Sequence, residues 1–127
     1  MLRLSIYLLP ILLRIIRDLL QECPVMKAWR ILGRPWRLVI IERLMSNPKT
    51  FRELMESMPG ISSRTLSKAL KELRKAGLVE RVCDGKRHYY ALTDAGRDLK
   101  PVIKALRAWG EKWLREPVSA EASQRSP

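Results

Sequence analysis

The chain has 127 residues, 46% hydrophobic and 30% charged, and its 25 Lys and Arg against 13 Asp and Glu give a net charge of +12. This length suits one domain around a single core, and the apolar fraction excludes a disordered chain. The basic excess predicts attraction to a polyanion, with a merely solvated basic surface as the alternative. Cys23 and Cys83 stand far apart without a C-x-x-C, so no metal site and no disulfide framework are expected. One histidine, no glycine-rich phosphate loop and no nucleophile–base arrangement argue against an enzyme, and no cofactor is predicted. Two thiols suit a reducing cytoplasm.

Residues 1–20 are strongly apolar, but the longest uncharged run, 4–13, is about half the ~20 residues of a spanning helix. Pro10 interrupts it, and no small-residue cleavage site follows, so neither an integral membrane span nor a signal peptide is predicted. From Ile11 onward Ile11, Leu12, Ile15, Ile16, Leu19 and Leu20 recur at helical spacing. An amphipathic helix is expected over 1–22, seeking an apolar partner on the domain or on a second subunit.

Cys23-Pro24 opens a short helix to about Leu32, closed by Gly33, and Pro35 opens a longer one that carries Trp36, Val39, Ile40 and Leu44 inward. Asn47-Pro48 stops it. Thr50-x-x-Glu53 is a capping box for a helix burying Phe51, Leu54, Met55 and Met58, with Pro59-Gly60 as the turn. Ser62 or Ser63 caps the next helix, which runs to about Ala76 with Leu66, Ala69, Leu70 and Leu73 inward, and Gly77 ends it. Segments 78–83 and 86–92, joined by Asp84-Gly85, predict a hairpin whose two central residues accept positive φ. Thr93 caps a long helix through about Leu114, which Pro101 should kink or break. Residues 116–127 lack large hydrophobes and are expected to be disordered.

Two short helices across a tight turn, followed by a hairpin, describe a winged helix-turn-helix: mostly α with a small β-hairpin wing, an α+β fold. The second helix, about 62–76, must bury one face and offer the other to the major groove. The outer face holds Ser63, Arg64, Thr65, Ser67, Lys68 and Lys71, and the hairpin tip adds Lys86, Arg87 and His88. Between Ser62 and Tyr90, eight cations face three acids, which favours a DNA-binding face over a solvated one. Arg64, Thr65, Ser67 and Lys68 are the candidates for base reading; Ser62, Ser63, Lys71, Lys86, Arg87 and His88 are those for the backbone or minor groove.

The ordered pieces Phe51-Arg52-Glu53-Leu54, Pro59-Gly60-Ile61-Ser62, Ala76-Gly77-Leu78-Val79-Glu80-Arg81 and Tyr90-Ala91-Leu92-Thr93-Asp94-Ala95-Gly96 resemble the HxlR-type winged-helix regulators, relatives of the MarR group. The likeness extends upstream to Cys23-Pro24-Val25 and Gly33-Arg34-Pro35-Trp36, and downstream to Leu99-Lys100-Pro101-Val102 and residues 105–110. It departs from the family in a tight wing turn and in the apolar extension 1–20. The resemblance implies a homodimer joined through its N- and C-terminal helices, with one recognition helix per subunit in successive major grooves. It places Cys23 at the family's redox-active position; a structural thiol is the commoner outcome there, and a sensing thiol, helped by the helix N-terminus and the nearby Lys27 and Arg30, is the alternative. Cys83 reads as a strand filler near the wing. Trp109 and Trp113 read as dimer core, with a ligand-pocket wall as the alternative.

The chain thus divides into a packing helix (1–22), a DNA-binding domain with its C-terminal dimerisation helix (23–115) and a tail (116–127). A cytoplasmic, sequence-specific regulator of transcription that binds double-stranded DNA is expected, acting as a repressor. A non-specific architectural DNA binder is the competing reading, since phosphate neutralisation alone gives sequence-independent affinity. No effector is indicated.

Overall fold

The computed structural model describes residues 2–115, so the tail expected over 116–127 lies outside the described residues. The chain forms two compact units, Met1–Leu38 and Val39–Pro127.

In the first unit, α1 spans Leu2–Glu22 and α2 spans Pro24–Leu32. Pro10 lies inside α1 without ending it, so one helix holds both the apolar run before the proline and the periodic stretch from Ile11. Cys23 is the N-cap of α2 and Pro24 its first residue, a position where a missing N–H costs nothing. The Gly33 N–H closes the helix on the Trp29 carbonyl at 2.7 Å. No residue of α2 is buried: Val25 and Trp29 remain 75% and 62% exposed. The segment after Gly33 corrects the expectation of a helix opened by Pro35. Trp36 takes a positive φ of 72°, which a helix excludes, so α3 starts one residue later and spans Arg37–Ser46.

The second unit begins within α3. It continues with α4 (Phe51–Ser57), α5 (Ser63–Lys75), the strands β1 (Val79–Asp84) and β2 (Arg87–Leu92), α6 (Asp94–Arg97) and α7 (Lys100–Trp113). Its core holds Ile40, Ile41 and Leu44 of α3, Leu54 of α4, Met58 and Ile61 of the turn, the four expected positions of α5, and Val79, Leu92 and Ile103. Ile41 is fully buried beyond the expected stripe, whereas Phe51 and Met55 are only half-buried. The capping box forms as expected, with Thr50 Oγ1 accepting from the Glu53 N–H at 3.1 Å.

Pro101 breaks the long C-terminal helix instead of kinking it. The shorter α6 ends at Arg97, and the proline occupies the first turn of α7. Thr93 joins three elements: it caps α6 by accepting from the Gly96 N–H at 3.2 Å, donates to the Gly77 carbonyl at 2.5 Å, and its own N–H bonds the Leu78 carbonyl. The start and end of the hairpin are thereby fastened to the end of α5. Among the described residues no helix is long and apolar enough to cross a membrane.

Candidate nucleic-acid interface

α5 has one buried apolar face and one exposed polar face. Ser62 caps it, accepting from the Thr65 N–H at 3.1 Å and donating to Thr65 Oγ1 at 2.8 Å, which commits this serine to the helix as well as to the surface. Leu66, Ala69, Leu70 and Leu73 close one face against the core. Ser63, Arg64, Thr65, Ser67, Lys68 and Lys71 are all exposed on the remainder. The helix also ends in exposed Arg74 and Lys75, so its surface is cationic to its last turn.

The hairpin is antiparallel, with Val79 opposite Leu92 and Asp84 opposite Arg87. The two-residue turn is therefore Gly85-Lys86, one residue beyond the expected Asp84-Gly85. Gly85 alone takes a positive φ, 63°, the pattern of a type II′ turn with glycine at its first central position. Lys86, Arg87 and His88 remain exposed at the tip. A backbone bridge fixes the hairpin from its other edge: the Lys49 N–H bonds the Tyr90 carbonyl at 3.0 Å and the Tyr90 N–H returns to the Lys49 carbonyl at 2.7 Å.

Between the hairpin and the start of α4 lies an open groove of about 560 Å³, lined by Thr50, Arg52, Glu53, Arg81, Arg87 and His88 among others. A hydrogen bond to Tyr89 and, more weakly, the charge of Glu53 raise the Arg87 pKa above the usual arginine value. The structure thus brings Arg87 and His88 together with two cations that the sequence did not single out as site residues, Arg52 and Arg81. Strand alternation is the signal that could have placed Arg81, which shares a face with Cys83 and with its cross-strand partner Tyr90. Nothing in the sequence announced the Lys49–Tyr90 bridge. The Cys83 thiol, expected as a strand filler, is exposed, and its Sγ lies 2.9 Å from His88 Nδ1.

Two helices across a tight turn, a cationic second helix and a short wing make up the winged helix-turn-helix arrangement. A model of the HxlR-like helix-turn-helix matches residues 31–117. The chain belongs to the HxlR-like helix-turn-helix family. Over 112 residues it is 31% identical to the HTH-type transcriptional regulator YdeP of Bacillus subtilis (strain 168), covering 86% of this chain and 88% of YdeP. The solved structure of the reduced form of the transcriptional regulator YodB from B. subtilis superposes with a TM-score of 0.65 at 37% identity, covering 76% of this chain and 97% of YodB. A MarR-family regulator from Porphyromonas gingivalis W83 gives 0.69 at 32% identity over 72% and 93%. This HxlR-like chain is accordingly a DNA-binding transcriptional regulator, and the resemblance drawn from residues 23–114 is borne out. Regulators of this family act by binding and not by turning over a substrate.

Proposed function

We propose that this HxlR-like regulator is a sequence-specific homodimer that represses transcription by occupying its operator. One observation carries the reading: α5 buries Leu66, Ala69, Leu70 and Leu73, while Ser63, Arg64, Thr65, Ser67, Lys68 and Lys71 on its other face are all polar or cationic and exposed. Such a helix satisfies both demands of a major-groove reader. Arg64, Thr65, Ser67 and Lys68 contact base edges, with arginine the side chain suited to guanine. Ser62, Ser63 and Lys71 hold the phosphate backbone, and Lys86, Arg87 and His88 carry the wing onto backbone or minor groove.

The dimer reading rests on unpartnered apolar surface. On α7 only Ile103 is buried, while Val102, Leu106, Trp109 and Trp113 are about half-exposed or more and recur along one stripe. Ile11, Ile15 and Leu19 of α1 are similarly exposed. Residues 1–22 and α7 then supply the interface, 23–115 the DNA-binding domain and 116–127 a tail, in a protein that works in the cytoplasm. Cys23, half-buried at the N-cap of α2, is the redox-sensing thiol of this reading.

Selection of sequences from a random duplex pool at near-physiological salt tests the proposal. Recovery of an inverted repeat with half-sites ~34–36 Å apart is expected for a twofold dimer. Tight, salt-sensitive binding with no recovered motif would instead establish the architectural reading that a net charge of +12 also serves.

A further inference from the structure

We propose that α1 rests on an anionic lipid bilayer, with its apolar face in the headgroup boundary and its arginines against the lipid phosphates. Every side chain from Ile6 to Leu19 is exposed. From Ile11 at one edge to Ile6 at the other, the apolar residues among them cover about 220° of the helix circumference. Arg14, Arg17 and Asp18 share the narrow remainder with Pro10 and Tyr7. A helix that packs on a protein core typically hides a stripe of about 100°, so this face is too wide for one such partner. The dimer stripe of Ile11, Ile15 and Leu19 takes only one edge of it. Ile6, Leu9, Leu13 and Ile16, at spacings of three and four, form a second exposed row about 140° further round the helix.

Charge decides what covers this second row. The first compact unit, residues 1–38, holds seven Lys and Arg against Asp18 and Glu22, a net +5. A second copy would bring the same positive excess to the row, whereas anionic phospholipid neutralises it. The arginine stems of the polar arc are long enough to hold their guanidinium groups at phosphate level while the apolar face enters the acyl boundary. Tyr7 of α1 and Trp29 of α2, 69% and 62% exposed, are residue types that settle at a membrane–water interface. The charges of Arg14, Arg17 and Asp18 keep α1 from spanning a bilayer, but they suit a helix lying in the interface plane, buried only ~5–10 Å deep.

The test is flotation of the full chain, without DNA, on liposomes of phosphatidylglycerol and phosphatidylcholine in equal parts, beside liposomes of phosphatidylcholine alone. Binding to the mixed liposomes at near-physiological salt is expected, with affinity at least about tenfold lower on the neutral ones. Arg14→Gln together with Arg17→Gln should weaken binding to the mixed liposomes about thirtyfold, roughly fivefold for each cation at an anionic surface. Leu9→Gln together with Leu13→Gln keeps every charge and should still weaken it about tenfold or more through lost apolar burial. Sedimentation equilibrium should give both variants the mass of the parent. Parent protein that stays off the mixed liposomes, or binds both kinds equally, would overturn the proposal. Equal binding by the parent and the leucine variant would overturn it too, by showing that charge alone attracts the chain. A leucine variant of half the parent's mass would assign the row to a second copy, which also overturns it.

Discussion

Arg107 donates through Nε to Glu42 Oε2 at 2.9 Å, joining α7 to α3 across 65 positions of sequence. The other Glu42 oxygen accepts from Arg43 Nη1 at 2.8 Å, and Arg43 Nε reaches the Ser57 carbonyl at the end of α4 at 3.2 Å. One carboxylate thus connects the C-terminal helix with the first helix of the helix-turn-helix. Glu42 also raises the Arg107 pKa, chiefly by accepting its hydrogen bonds. Because Arg107 is exposed, its global effect on stability is small, as for most surface pairs. Its local effect is the informative one. Arg107→Ala should speed amide hydrogen exchange in α7 and at the end of α4 severalfold while leaving β1 and β2 unchanged. Arg107→Lys should rescue only in part, because one ammonium replaces two guanidinium donors on Glu42. Unaltered exchange in α7 would show that the pair does not hold the helix.

On the proposed function, the outward face of α5 divides into readers and anchors, and the two differ in what their loss does. Arg64→Ala should cost ~1–3 kcal/mol of operator affinity and relax preference at one base pair. Lys71→Ala should instead weaken all duplexes alike and lower the salt slope by about 1. Fluorescence anisotropy titrations against the selected operator and a scrambled duplex, at several salt concentrations, separate these patterns. An Arg64→Ala protein with unchanged operator affinity would remove this arginine from the reading face.

The inner face of the same helix predicts the opposite split. Leu66 is fully buried, and Leu66→Ala should destabilise the domain by ~2–5 kcal/mol through lost transfer energy and a residual cavity. Lys68, two residues on and exposed, should leave stability within about 0.5 kcal/mol when changed to Ala, yet weaken DNA binding. Urea unfolding beside the binding titration checks both. Comparable destabilisation by the two substitutions would mean that α5 is not oriented with Leu66 inward.

The positions read well in the sequence are those where a local rule and the tertiary fold agree. Thr50 and Glu53 form their box, Ser62 caps α5, and its four inward residues are all buried, because spacing alone decides which face a short helix can hide. The errors fall where spacing gives no information. Trp36 adopts a conformation that tryptophan rarely takes, so no residue-type rule could end the expected helix there. The hairpin turn lies one residue further on because Asp84-Gly85 and Gly85-Lys86 both offer a glycine; the strand register, with Asp84 opposite Arg87, takes the second. On the site, cations on α5 follow from periodicity, whereas the proximity of Arg52 to Arg81 and of Cys83 to His88 depends on the hairpin register and on how the hairpin lies over α4. The exposed stripe of Trp109 and Trp113 is legible as apolar, but an apolar stripe does not name its partner.

Glycine packing supplies a last, paired prediction. At Gly96, buried in α6, a Cβ would overlap the Leu78 carbonyl oxygen and stand 3.1 Å from Leu92 Cδ2. Both neighbours belong to the junction that Thr93 fastens, and a backbone oxygen there cannot swing aside as a side-chain end would. Gly96→Ala should therefore cost ~1–3 kcal/mol, as overpacking of a tight contact does. Gly110 lies within α7, where an added Cβ would meet nothing within 4 Å, so Gly110→Ala should stabilise by about 0.5–1 kcal/mol through helix propensity. Urea midpoints with unchanged m-values read both effects. A Gly96→Ala protein as stable as the parent would mean that α6 sits further from the start of β1 than this structure places it.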